Sequence, residues 1–243
     1  MNKIKYIIVS ISVLMSCSKD NDDRVLNTLE SYVFNKSFET GAVIACAASD
    51  ADTNAVLTFY YPEEGASNIR FYETENAQVD KSDFSNYRQV SLQGEPFFNG
   101  YLEKFTQSSS NEKWIIVSFE FDNEIKLSNP IRSKQISKPT VWNDAVTINQ
   151  DVSKMPNFMW EDDAFGDNAI YFQVISDEQN NLLSGTYTYD NHFQYYNTTN
   201  VILNVTTQTP PTLIVGDDYN FTLMDVSEDN WVNLVIQKMF EAQ

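Results

Sequence analysis

The chain has 243 residues with 16 Lys and Arg against 34 Asp and Glu, a formal charge of −18 and one histidine. So acidic a surface argues against direct binding of nucleic acid or anionic head groups. Aromatics make up 14%, Gly and Pro are only 7 each, and two cysteines are present, which describes a β-rich extracytoplasmic protein without a disulfide framework.

Residues 1–16 read as a secretory signal. Lys3 and Lys5 give a positive start, and Ile7 to Met15 is an apolar run broken only by Ser10 and Ser12. That run is shorter than the roughly 20 apolar residues a spanning helix needs. It ends in Leu14-Met15-Ser16-Cys17, which resembles a bacterial lipobox. The resemblance implies cleavage before Cys17 and a lipid anchor on its thiol. Several acyl chains, at about 0.8 kcal/mol per buried CH₂, hold such a protein on a membrane without a transmembrane helix. The following Ser18-Lys19-Asp20-Asn21-Asp22-Asp23 resembles the export signal of surface lipoproteins of the Bacteroidota. It implies an outer-membrane, surface-exposed location, with residues 17–28 as lipidated Cys and acidic tether. Removing Lys3 and Lys5 leaves 14 basic residues against 34 acidic ones, a formal charge of −20.

From residue 29 the pattern is strand-like. Expected strands are Ser31 to Phe34, Gly41 to Ala48, Ala55 to Tyr61, Asn68 to Glu73 and Tyr87 to Leu92, followed by an apolar stretch from Phe97 to Phe105. Trp114 to Phe121 alternates, with Ile115, Val117, Phe119 and Phe121 on one side. Asp122-Asn123 then predicts a hairpin turn into Ile125-Lys126-Leu127. Ile131 to Ile136 closes this half, and Ser137-Lys138-Pro139 is the expected linker.

The second half repeats the plan. Val146 to Ile148, Ala169 to Ser176, Leu182 to Tyr189, Asn200 to Thr206, Asn220 to Val226 and Trp231 to Phe240 are expected strands, and Pro156 to Trp160 places Trp160 as a core anchor. Leu213, Gly216 and Tyr219 resemble the tyrosine corner of fibronectin type III and related sandwiches. The fold expected is all-β: two tandem antiparallel β-sandwich domains of the immunoglobulin or fibronectin type III kind, residues 29–138 and 139–243. A single larger jelly roll is the alternative.

No phosphate loop, dinucleotide glycine pattern, hydrolase elbow or zinc-protease motif occurs in the sequence. Cys46 lies alone in an apolar run and reads as a core thiol; His192 reads as an exposed loop residue. Glu120, Asp122 and Glu124 sit at i, i+2 and i+4, which resembles the paired-carboxylate strand of retaining glucanases, although Asp122-Asn123 should end the strand there. Calcium is raised by Glu161, Asp162, Asp163 and Asp167 after Trp160, and by Asp50 and Asp52, without a known ligand spacing. No other cofactor is implied. Tyr189, Tyr195 and Tyr196 are the ligand-binding candidates, since aromatics flanked by Asn and Asp can stack on sugars or anchor a partner. Of Phe59, Tyr60 and Tyr61, at least one should point outward. The function expected is a non-catalytic binding or accessory module of an outer-membrane complex. The alternatives are a carbohydrate-binding or adhesion lipoprotein, a carboxylate-dependent glycoside hydrolase, and a passive spacer.

Overall fold

The computed structural model describes residues 27–53, 55–161, 166–206 and 209–243. The expected signal, the lipidated Cys17 and nearly all of the tether therefore lie outside the described residues, as do Asp162 and Asp163.

Among the described residues, the strands form four sheets. The first half builds two of them. Its outer sheet runs β1 (Phe38–Val43), β9 (Glu124–Ser128), β8 (Trp114–Phe121), β4 (Ser67–Glu73) and β5 (Arg88–Val90), with β10 (Ile131–Arg132) also on β8. Its inner sheet runs β2 (Ala45–Ser49), β3 (Ala55–Tyr60), β7 (Leu102–Ser108) and β6 (Glu95–Phe97). The second half has a large inner sheet: β11 (Val141–Asn143), β19 (Val232–Glu241), β18 (Asp218–Ser227), β14 (Asn168–Asp177), β15 (Leu182–Thr188) and β17 (Val201–Asn204). Three short strands, β12 (Thr147–Asn149), β13 (Asn157–Met159) and β16 (His192–Gln194), form its outer sheet.

The two halves share one feature of plan: in each, the first strand lies parallel to a late one, β1 on β9 and β11 on β19, while the other strand pairings are antiparallel. Each half is a β-sandwich of the immunoglobulin and fibronectin type III kind. The tyrosine corner is formed: the Ile214 N–H donates to Tyr219 Oη at 2.9 Å, and Leu213 is buried beside it. Trp160 is buried in the same core, edge-on to Tyr171 at 5.1 Å.

The sandwiches stack face to face. Alternation along β3 sends Val56 and Tyr60 toward Val117 and Phe119 of the outer sheet. It sends Leu57 and Phe59 the other way, onto Phe172, Val174, Met224 and Val235 of the second sandwich. The strand has no polar face because both of its faces are covered, the pattern of a fully buried strand. The second sandwich's inner sheet is double-sided as well: Tyr171, Ile175, Phe221 and Ile236 face its own outer sheet. Trp231, in the turn between β18 and β19, crosses the boundary and is wholly buried in the first sandwich's core. Its indole N–H donates to the Lys138 carbonyl at 2.8 Å, inside the expected linker.

Three local expectations are corrected. Ser31 to Phe34 is not a strand: α1 (Leu29–Val33) is a short helix, N-capped by Thr28, whose Oγ1 accepts from Ser31 N at 3.0 Å. Leu29, Tyr32 and Val33 fall at helical spacing and cover the outer sheet over Tyr72, Ile116 and Ile125. Gly41 to Ala48 is not one strand. It divides at Ile44, where the chain passes from β9 in one sheet to β3 in the other. The apolar stretch from Phe97 is broken by a tight turn before β7. The hairpin at Asp122-Asn123 forms as expected, both residues at positive φ (51° and 61°), the geometry of a type I′ turn.

Candidate functional site: a cleft between the sandwiches

The inner sheet of the second sandwich is longer than the sheet covering it. On its covered face, Met224 and Val226 of β18 and Phe172 and Val174 of β14 are apolar and packed. Toward one end of the same strands, that face becomes polar: Asn220 and Thr222 on β18, Ser176 on β14, and Gln237 on β19 opposite Thr222. There the first sandwich no longer lies over the sheet. Its β6–β7 turn leans across instead, leaving a cleft of about 520 Å³ floored by these residues and walled by Phe97 and Phe98.

The wall is held under strain. Phe98, Asn99 and Gly100 adopt φ of 48°, 51° and 86° in succession. A left-handed conformation costs a bulky residue about 1–2 kcal/mol, and such strain is held only where surrounding contacts dictate it. Here Phe98 is buried against Phe97, ring centroids 4.3 Å apart, and Phe97 packs on Phe59 at 4.9 Å. The Asn99 amide donates across the cleft to the Gln179 carbonyl at 2.8 Å and to Asn181 Oδ1 at 2.7 Å, tying the turn to the β14–β15 turn.

The floor has unused hydrogen-bonding capacity. Ser176 Oγ is buried and has no partner among the described residues. Such a hydroxyl carries a desolvation cost of about 1–3 kcal/mol. Thr222, Asn180 and Gln237 also line the cleft, and no side-chain hydrogen bond engages them among the described residues. The cation at the rim, Lys238, is paired with Asp144 at 2.7 Å.

At another place along the interface, a smaller apolar cavity of about 180 Å³ is lined by Cys46, Phe59, Tyr61, Tyr187 and Met224. Cys46 and Tyr187, both half-buried, line this cavity. Desolvation pushes the Cys46 thiol up to about 12, so it stays protonated at physiological pH, although the residue itself is half-buried.

The sequence candidates are scattered. Tyr189 is 62% exposed, but Tyr195 is fully buried, its hydroxyl on the Pro211 carbonyl at 2.7 Å, so it offers no stacking face. Tyr196 is half-buried with its hydroxyl on Thr212, and the three do not form one surface. His192 is exposed on β16 beside Asn200. Phe59 and Tyr60 are both buried, and Tyr61 is half-buried against the apolar cavity, because β3 has no solvent face.

The carboxylate strand is not a dyad. The turn at Asp122-Asn123 pairs Phe121 with Glu124 and Glu120 with Ile125, so Glu120 and Glu124 point to opposite faces of the sheet. Hydrogen bonds from Tyr32 and Asn68 hold Glu120 below the usual carboxylate range, and Lys126 and Ser37 do the same for Glu124. A glycosidase general acid needs the opposite shift. Of the acidic loop after Trp160, Asp167 has its carboxylate between Lys138 Nζ at 2.7 Å and Lys134 Nζ at 3.5 Å, cations where a calcium ion would have to sit. Asp50 accepts from Asp52 N and Thr53 N and closes its own turn.

Sequence reasoning missed the cleft. Its one trace is a change of character along a single strand face: Asn220 and Thr222, then Met224 and Val226, all at even positions. Which half is covered depends on the partner sheet, roughly 120 residues earlier in the chain.

No protein-family model matches this chain, and no curated protein matches it. Two similar solved structures are the chicken CNTN1 FN1–FN3 domains and a two-domain fibronectin type III segment from chicken tenascin. The first is 7% identical with a TM-score of 0.30, covering 85% of this chain and 68% of that one. The second is 12% identical with a TM-score of 0.26, covering 83% of this chain and 98% of that one. Superpositions this loose carry no argument; the strand order and the tyrosine corner show the fold.

Proposed function

We propose that this chain is a lipoprotein anchored through Cys17 to the outer membrane and displayed at the cell surface, a non-catalytic binding module of an outer-membrane assembly. In this reading residues 1–16 are the signal, 17–28 the lipidated tether, and 29–138 and 139–243 the two domains. The observation that carries the binding role is the cleft between the sandwiches, where unpartnered hydroxyl and carboxamide groups face an open volume of about 520 Å³. The carboxylates with catalytic spacing, by contrast, are turned apart and held ionised. A protein partner in the assembly is supported by β17, at the margin of its sheet, where Ile202 and Leu203 are 54% and 45% exposed. An edge strand with apolar side chains offers both backbone hydrogen bonds and contact area.

The test is recovery of the full chain from its own cells in mild detergent. Labelled palmitate should enter the protein and be lost in Cys17→Ala, protease added to intact cells should cut it, and an outer-membrane protein should accompany it. An unlabelled protein that is protected from protease and emerges alone would overturn the reading.

A further inference from the structure

Resting on the reading of the cleft as a ligand site, we propose that its ligand is an uncharged saccharide chain. The floor presents Ser176, Thr222, Asn220 and Gln237 from three adjacent strands. Hydroxyls and carboxamides each donate and accept. That set matches a ligand whose own hydroxyls do both at every position. Anionic or cationic ligands are poorly served, because Lys238 at the rim is already neutralised by Asp144. Phe97, half-buried in the wall, supplies an apolar surface beside a polar floor, the combination required by a sugar ring with C–H faces and a hydroxyl rim. The volume of about 520 Å³ lies within the roughly 300–1,000 Å³ of ordinary ligand sites.

Two further observations point to a ligand. Ser176 Oγ is fully buried, lines the cleft and lacks a partner among the described residues, so a ligand hydroxyl would complete it. The run of left-handed residues at Phe98 to Gly100 holds the β6–β7 turn against the cleft, with Phe97 half-buried in its wall and Phe98 buried. Strain of this sort collects at binding sites.

The experiment is titration calorimetry on the detergent-solubilised full chain with cello-, xylo-, manno-, malto- and chito-oligosaccharides as probes. At least one series should bind. Gln237→Ala and Ser176→Ala should each weaken it about three- to tenfold, the worth of one neutral hydrogen bond. Tyr189→Ala, outside the cleft, should leave it unchanged. Gln237 is exposed, so its variant should retain the fold, which thermal unfolding checks. Failure of every series, or binding indifferent to both cleft variants, overturns the saccharide assignment. If the chain then still captures an outer-membrane protein from its own cells, the binding-module reading survives; if it captures nothing, both fall.

Discussion

Replacing Trp231 by alanine should destabilise both sandwiches at once. The side chain belongs by sequence to the second half but is wholly buried in the core of the first, with Val43, Ala47, Val56 and Phe71 in the same cluster. Truncating a buried aromatic costs about 3–5 kcal/mol. The Lys138 carbonyl loses its indole donor as well, adding about 1 kcal/mol. For a body of this size each kcal/mol moves the midpoint by about 2–4 °C, so the total of about 4–6 kcal/mol should lower Tm by about 8–24 °C. Trp231→Phe keeps most of the volume and should lose roughly a third as much. Scanning calorimetry distinguishes the cases. The continuous packing of Phe59 and Leu57 on Phe172 and Met224 makes the body one cooperative unit, so a single transition should shift as a whole. Two separate transitions, with only one of them moved by the substitution, would refute the shared core.

Tyr219→Phe removes the acceptor of the Ile214 N–H and should cost about 1 kcal/mol in chemical denaturation, with no change in the slope of the transition. Cys46 should react slowly with a thiol reagent in the native protein at neutral pH, because its thiol is held protonated, and fully in denaturant; fast native labelling would contradict the raised pKa. Acid should destabilise the fold in a defined direction. Burial tends to raise the Asp167 carboxyl, but the Lys138 ammonium and the Asn233 amide outweigh it and hold it low; Tyr32 and Asn68 hold Glu120 low. Groups depressed in the folded state bind protons more readily when unfolded. Their stabilisation is therefore complete above about pH 5 and is lost as pH falls through the depressed values. Asp167→Asn should flatten that fall in pH-dependent denaturation, and an unchanged slope would remove Asp167 from the account.

Much of the fold is legible residue by residue. The alternation of Trp114 to Phe121 and of Ala169 to Ser176 assigns the correct faces, and Asp122-Asn123 marks its turn, because these signals are local. The helix at Leu29–Val33 escapes because five residues hold little periodicity and Tyr and Val favour strands; the Thr28 cap and the 29, 32, 33 spacing are its signature. The stacking of the sandwiches is legible only in hindsight. Ala55 to Tyr60 lacks an alternating polar face, which a strand covered on one side would have. The tyrosine candidates mislead because aromatic crowding between Tyr187 and Tyr196 serves the core: Phe193 and Tyr195 are buried, while Tyr189 alone of the three candidates is well exposed. The cleft is not a local property at all. Ser176, Asn220 and Gln237 become a site only because the partner sheet stops short of them.

The most direct test of the central claim, that the cleft is where this protein binds, is to fill it. Gln237→Trp places an indole on the cleft floor at an exposed strand position. Ligand capture by the full chain on its own cells would be compared with that of the unaltered chain, with thermal unfolding confirming an intact body. The cleft account predicts that capture is abolished while the lipid anchor and midpoint are retained. Undiminished capture by a folded Gln237→Trp chain would contradict it and move the binding site elsewhere.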